Sequence, residues 1–232
     1  MSHLKRLLIP RFWRISKKTK KWAVSPSPGP HKKFESIPLQ VLARDILKIV
    51  ETGKEAKTII NKGEILVDGR IRKDNAYPVG LFDVISMPTS SQFYRVVPSS
   101  GGFNVVEIPK DEADAKICKI EGKTLVEKGK VQLNLNDGKN ILVDGGKFST
   151  GDSLLVEVPS LKVKDHLKLA KGSLGIILKG KNSGKSVEVK EILAGKFRQP
   201  SRIICEIEGK DAEVLEDNFI MVGKEKPLIT VG

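Results

Sequence analysis

Residues 36–85 read SIPLQVLARDILKIVETGKEAKTIINKGEILVDGRIRKDNAYPVGLFDVI, and the hydrophobic period changes partway along them. Leu39, Leu42, Ala43, Ile46, Ile49 and Val50 recur at three- and four-residue spacing, which predicts a helix with one apolar stripe. Ser36 is positioned to cap it, with Pro38 in its first turn. Thr52-Gly53-Lys54-Glu55 has the spacing of a capping box, so a second short helix is expected there with Ala56, Ile59 and Ile60 inward. Lys54, Lys57 and Asn61 then share the outer face, and Lys62 adds charge near the helix end. Gly63 stops this helix. Ile65–Val67 reads as a strand, Asp68-Gly69 as a two-residue hairpin turn, and Arg70-Ile71-Arg72 as the return strand, with Lys73 just beyond. Alternation puts Arg70 and Arg72 on one face and Ile71 on the other. Residues 77–85 supply a turn and a closing strand.

The N-terminal flank has another character. Residues 1–35 hold ten basic side chains and one acid, Glu35, whereas the windows 36–90, 91–169 and 170–232 carry net charges of only +1, +1 and +2. Most of the chain's +13 therefore sits in one segment. Such a segment is expected to repel itself and to become ordered where phosphates neutralise it. Lys5, Arg6, Arg11, Arg14, Lys20, Lys21, His31, Lys32 and Lys33 are its candidate phosphate contacts. Trp13 and Trp22 stand among cations, where a ring can stack on a base or instead pin the segment to its own protein. Pro26, Pro28 and Pro30 make an extended arm and forbid a long amphipathic helix.

Beyond residue 91 the text favours strands. Candidates are Phe93–Val97, Val105–Ile108, Lys116–Ile120, Val131–Leu135, Lys139–Val143 and Gly151–Val158, with one helical turn near Asp111–Ala115. Ser173–Lys179, Ser186–Ile192, Arg202–Ile207, Ala212–Leu215 and Phe219–Val222 follow, a series that suggests a small closed barrel.

Three neighbouring patterns resemble the S4e family of small-subunit ribosomal proteins. They are the basic start HLKRLLIPRFW…KKWAVSPSPGPHKK, the segment quoted first, and KGSLGIILKGKNSGKSVEVKEI followed by NFIMVGKEKPLI. The resemblance implies an α+β multidomain chain. It would comprise a basic N-terminal extension (1–35), an S4-like helix–helix–hairpin module (36–90), a central mostly β domain (91–165) and a C-terminal SH3-like KOW barrel (166–232). It implies RNA contacts at Lys54, Lys57, Lys62, Arg70 and Arg72, and at Lys179, Lys181, Asn182 and Lys185 around Gly180 and Gly184. The expected partners are small-subunit ribosomal RNA and neighbouring ribosomal proteins in the cytoplasm, with no cofactor, no membrane and no obligate homo-oligomer. The sequence departs from wider S4-type patterns in having Thr52-Gly53-Lys54 where many members carry Ser-Arg, and Ser186 after Lys185.

Other chemistries fit less well. Gly180-Lys-Asn-Ser-Gly184-Lys-Ser186 has three residues between its glycines, one fewer than a phosphate-binding P-loop, and leads into alternating strand text. His3, His31 and His166 have no metal-ligand spacing with Cys118 or Cys205, and the two cysteines read as strand residues. An RNA-modifying enzyme with an S4-type module would need a further catalytic domain, and the remaining length reads as small β modules. No run reaches the ~18 apolar residues of a membrane span, and the start has too short an apolar stretch for a secretory signal.

Overall fold

The computed structural model describes residues 4–126, 129–146, 148–196, 199–207, 209–224 and 226–231. The chain is a mixed α+β protein with an N-terminal helical segment and several antiparallel sheets. It divides into two compact units, residues 1–97 with 101–114 and residues 98–100 with 115–232. His3 lies outside the described residues.

In the first unit, the leading helix is shorter than its apolar stripe. It runs Leu39–Val41 and widens over Leu42–Ile46, where the Leu47 N–H reaches back five residues to the Leu42 carbonyl at 2.9 Å. Lys48 then takes φ 52°, a left-handed backbone that ends the helix. Ile49 and Val50 therefore lie past its end, which corrects the stripe expected above. Ser36 does not cap this helix either. It is buried, and its hydroxyl donates to the Lys32 carbonyl at 3.0 Å.

The second helix, Gly53–Lys62, opens as its sequence requires. The Glu55 N–H donates to Thr52 Oγ1 at 3.2 Å and the Thr52 N–H to Glu55 Oε2 at 3.3 Å, a reciprocal capping box. These bonds to Thr52 hold the exposed Glu55 carboxyl below its ordinary range. Ala56 and Ile60 are buried, with Ile59 half-buried against the same core. The helix leads into a five-stranded sheet ordered Arg70–Ile71, Leu66–Val67, Val84–Met87, Gln92–Ser99, Gly102–Glu107.

The basic N-terminal segment is folded onto this unit, against the expectation that only phosphates would order it. Leu4–Lys5 pairs antiparallel with Trp22–Ala23. Ile9 and Trp13 join the same buried cluster as Leu39, Leu42, Ile60 and Ile85. Trp13 is 1% exposed, and its indole N–H donates to the Ser36 carbonyl at 3.0 Å. The physical reason is separation of roles. Ile9 and Trp13 turn inward, with Phe12 and Ile15 packed beside them, while Lys5, Arg11, Arg14, Lys20, Lys21, Lys32 and Lys33 stay exposed. Their charges keep their hydration, so the segment folds without desolvating them.

The second unit carries two five-stranded antiparallel sheets. One is ordered Asn140–Val143, Val131–Leu135, Ala115–Leu125, Ser153–Glu157, Val163–Leu167. The other is ordered Lys210–Leu215, Arg202–Ile207, Ser186–Leu193, Leu174–Ile177, Phe219–Gly223. The strand Val163–Leu167 was not expected, and it spans the anticipated boundary at 165/166. The sheets are tied directly. The Met221 N–H donates to Ser153 Oγ at 3.1 Å, and Lys119 Nζ to the Glu216 carbonyl. Lys116 and Asp137, both buried, pair at 3.1 Å.

Replacing Trp13 with Ala should destabilise the protein by about 3–5 kcal/mol, the scale of a buried aromatic truncation. W13F should cost less, mainly the indole bond. Thermal unfolding of the free protein measures both, and limited trypsin digestion should find residues 1–35 protected in the wild type and cut early in W13A.

Candidate nucleic-acid interface

The helix–hairpin junction begins at Gly63. Its φ of 81° lies in the left-handed region that a side chain resists. The Gly63 N–H donates to the Ile60 carbonyl at 3.0 Å and the Glu64 N–H to the Ile59 carbonyl at 3.3 Å, the two bonds of a Schellman turn. The turn also brings the hairpin close. A Cβ built on Gly63 would lie 2.9 Å from Ile71 Cγ2 and 3.8 Å from Lys73 Cε. The helix end and the basic strand thus meet at one residue.

The hairpin turn is equally defined by local geometry. Asp68 and Gly69 take φ 51° and 69°, both positive as a type I′ turn requires. Asp68 is buried, and its carboxylate accepts the Val84 N–H at 3.1 Å, which fastens the hairpin to the next strand.

Around this junction Lys54, Lys57, Lys62, Arg70 and Lys73 are exposed. Lys54 and Lys57 are one turn apart on the second helix, and Lys62 closes it 3.9 Å from Glu64. Arg72 is half-buried, its guanidinium 4.6 Å from the centre of the Tyr77 ring. That stacking fixes the cation beside the hairpin. Ile71, expected on the face opposite the two arginines, is 57% exposed and lies against the helix end.

Of the N-terminal candidates, the structure withdraws three from the surface. Trp13 is in the core. The Arg6 guanidinium is enclosed, with Nε donating to the Ser16 carbonyl at 2.7 Å and Nη2 lying 3.3 Å from Asp45. The His31 ring faces the Asp83 carboxylate at 2.9 Å and lies over Gly80, where a Cβ would meet it. None of these groups is open to an incoming nucleotide, because each is enclosed and already paired within the protein. Trp22 remains 44% exposed, with Lys21 Nζ 5.5 Å from the centre of its ring.

In the second unit, Lys179 and Lys181 are exposed, while Asn182 and Lys185 are half-buried in a tight loop between Leu174–Ile177 and Ser186–Leu193. Ser183 Oγ donates to the Leu178 carbonyl at 2.8 Å, and the Gly184 N–H to the Ile177 carbonyl at 2.8 Å. Gly180 and Gly184 take φ 101° and 85°.

Sequence reasoning missed the acids that hold the internal arginine and histidine side chains. Arg95 is fully buried and meets Glu112 at 2.8 Å; burial pushes its pKa down while that partner opposes the shift. Asp152 holds His166 at 2.8 Å and accepts the Leu169 N–H at 3.0 Å. No spacing rule links partners 17 or 14 residues apart on different elements. Cys118 and Cys205 are buried and unpaired by disulfides, and burial pushes the Cys205 thiol up. Among the described residues, no group of three or more His, Cys, Asp or Glu side chains could hold a metal ion. No described helix is long and apolar enough to cross a membrane.

Residues 38–85, which hold both helices and the basic hairpin, match the S4 domain, and this places the chain among S4-domain proteins. Residues 2–34 match the RS4NT (NUC023) domain and residues 90–163 match "Ribosomal family S4e". The chain is 45% identical to small ribosomal subunit protein eS4 of Archaeoglobus fulgidus over 99% of this chain and 98% of that protein. It is 40% identical to the eS4 protein of Methanocella arvoryzae, over 98% and 97%. The crystal structure of the 30S ribosomal protein S4e from Thermoplasma acidophilum superposes with a TM-score of 0.71 at 26% identity, covering 82% of this chain and 96% of that one. The chain belongs to the S4e (eS4) family of small-subunit ribosomal proteins.

Gly63→Val should lower the thermal midpoint more than Gly63→Asn, because a branched side chain resists φ 81° and would press on Ile71. A loss of about 2 kcal/mol or more is expected for Val, on the scale of a forced left-handed residue plus local crowding. Equal melting of the two variants would reject this account of the junction.

Proposed function

We propose that the protein is a structural ribosomal-RNA-binding component of the small ribosomal subunit, acting in subunit assembly and translation, with no catalytic site. The observation that carries this reading is the exposed cationic junction of Lys54, Lys57, Lys62, Arg70 and Lys73, with Arg72 stacked beside it, in a chain of the S4e family. Such a surface meets RNA by shape and charge. The rigid helix–hairpin unit sets the spacing of cations, and phosphates of a folded RNA satisfy them.

The N-terminal segment extends that surface through Lys5, Arg11, Arg14, Lys20, Lys21, Lys32 and Lys33, with Trp22 as the remaining stacking candidate. Since the segment is already packed, it would bind as a preformed face and lose little entropy of ordering. Residues 166–232 are read as the SH3-like KOW module, with Lys179, Lys181, Asn182 and Lys185 on the contact loop. The expected partners are small-subunit RNA and neighbouring ribosomal proteins in the cytoplasm. The four-part division at 35/36, 90/91 and 165/166 is retained as a proposal about sequence modules.

Arg70→Ala with Arg72→Ala should weaken binding to small-subunit RNA while leaving the circular dichroism spectrum nearly unchanged. The slope of log affinity against log salt should fall by roughly 0.7–0.9 for each phosphate that the variant no longer neutralises. Wild-type protein should also prefer this RNA over duplex DNA in direct competition at near-physiological salt. Equal affinity for the two at every salt concentration, or full binding by the double variant, would place the function or the site elsewhere.

A further inference from the structure

The left-handed end of the first helix opens a cleft that the helix–hairpin surface does not include. It has a volume of about 320 Å³ and is lined by Lys20, Arg44, Asp45, Lys48, Val50 and Glu51. Lys20 comes from the N-terminal segment and the others from the helix end and the loop after it. Packing of that segment onto the helix brings Lys20 to the cleft.

Its charges are unevenly committed. Asp45 lies between two guanidinium groups, 3.3 Å from Arg6 and 2.5 Å from Arg44. One carboxylate thus answers two cations. Among the described residues neither Lys20 nor Lys48 has an ion-pair partner, and both are exposed. The lining itself sets three cations, Lys20, Arg44 and Lys48, against two carboxylates, Asp45 and Glu51, a local excess of one positive charge, and Asp45 is shared with the enclosed Arg6. The Glu51 N–H donates to Glu55 Oε2 at 3.3 Å, and Glu51 lines the cleft, its exposed carboxylate without a salt bridge among the described residues. Holding like charges together without a counter-ion costs energy, and an anion between Lys20 and Lys48 would offset it.

The geometry points to a second phosphate-binding site in this cleft, in which Lys20 and Lys48 clasp a backbone phosphate of the RNA and Arg44 closes the third side. This rests on the RNA-binding reading above and deepens it. Asp45 positions Arg44 through its two-pronged contact, at 3.2 Å from Nε and 2.5 Å from Nη2, and so acts as a positioning residue. Glu51 sets a limit on affinity, because its carboxylate repels the same phosphate. The loop at Lys48 would place this phosphate before the start of the second helix, as a contact additional to those of the helix–hairpin cations.

The test uses the full chain and naked small-subunit RNA. Lys20→Gln with Lys48→Gln should weaken binding by roughly tenfold, the scale of one charge-assisted hydrogen bond, and reduce the salt slope. Glu51→Gln should do the opposite and strengthen binding. Both sets should melt as the wild type does, because these side chains are exposed. If K20Q/K48Q and E51Q bind like wild type while R70A/R72A is weakened, the cleft carries no phosphate and the inference falls, with the proposed function intact. If wild type shows no preference for RNA over duplex DNA, the proposed function falls first. A thermal midpoint raised by inorganic phosphate and abolished in K20Q/K48Q, with RNA affinity unchanged, would mark a free-anion site and overturn the assignment to RNA.

Discussion

The second helix can pass into the hairpin within a single turn because residue 63 adopts φ 81° and lacks a side chain. Two backbone bonds then satisfy carbonyls that a helix end leaves open, and Ile71 moves into the space a Cβ would fill. The helix–hairpin part of the proposed interface depends on this reversal. Lys54, Lys57 and Lys62 belong to the helix, whereas Arg70, Arg72 and Lys73 belong to the strand and its exit. Were the turn wider, two weak cationic patches would replace one surface.

The N-terminal segment shows how a highly charged stretch can still be part of a fold. Its ten basic residues would oppose collapse if they had to enter the core. Arg6 does so, and Ser16 and Asp45 meet it there. Most of the other cations remain in water, and Ile9 and Trp13 provide the apolar contacts. Burial of a Trp with its N–H satisfied is a large favourable contribution, and exposed lysines do not oppose it strongly at ordinary salt. The same segment therefore contributes both packing and surface charge.

The second unit handles buried charge differently. Lys116 and Asp137 are enclosed together, with Lys139 also 3.2 Å from the same carboxylate. A pair like this gains little over apolar packing, but loss of either member would leave an uncompensated charge inside. Lys119 is similarly enclosed. Burial pushes its pKa down, partly opposed by Glu216 and its neighbours, and its ammonium donates to a backbone carbonyl. The Lys119 contact reaches across to the second sheet, whereas the Lys116–Asp137 pair ties a strand of the first sheet to that sheet's own hairpin turn. They offer no open group for chemistry.

The features legible from residue order are mostly local. The capping box at Thr52–Glu55, the stop at Gly63 and the turn at Asp68-Gly69 each depend on a few neighbouring residues, so spacing and residue type were enough to locate them. The strands in the C-terminal half were legible for the same reason, since alternation and turn residues are local signals; Val163–Leu167, with two lysines and Asp165 in its vicinity, was hidden by its exposed edge. Tertiary structure alone decided which charges face water. Arg6 and Lys5 are adjacent in sequence, yet one is enclosed by partners 10 and 39 residues away and the other is exposed. It also decided that Trp13 is core and Trp22 surface, although both stand among cations. Burial is set by what the chain brings back against a residue, and no local pattern contains that contact.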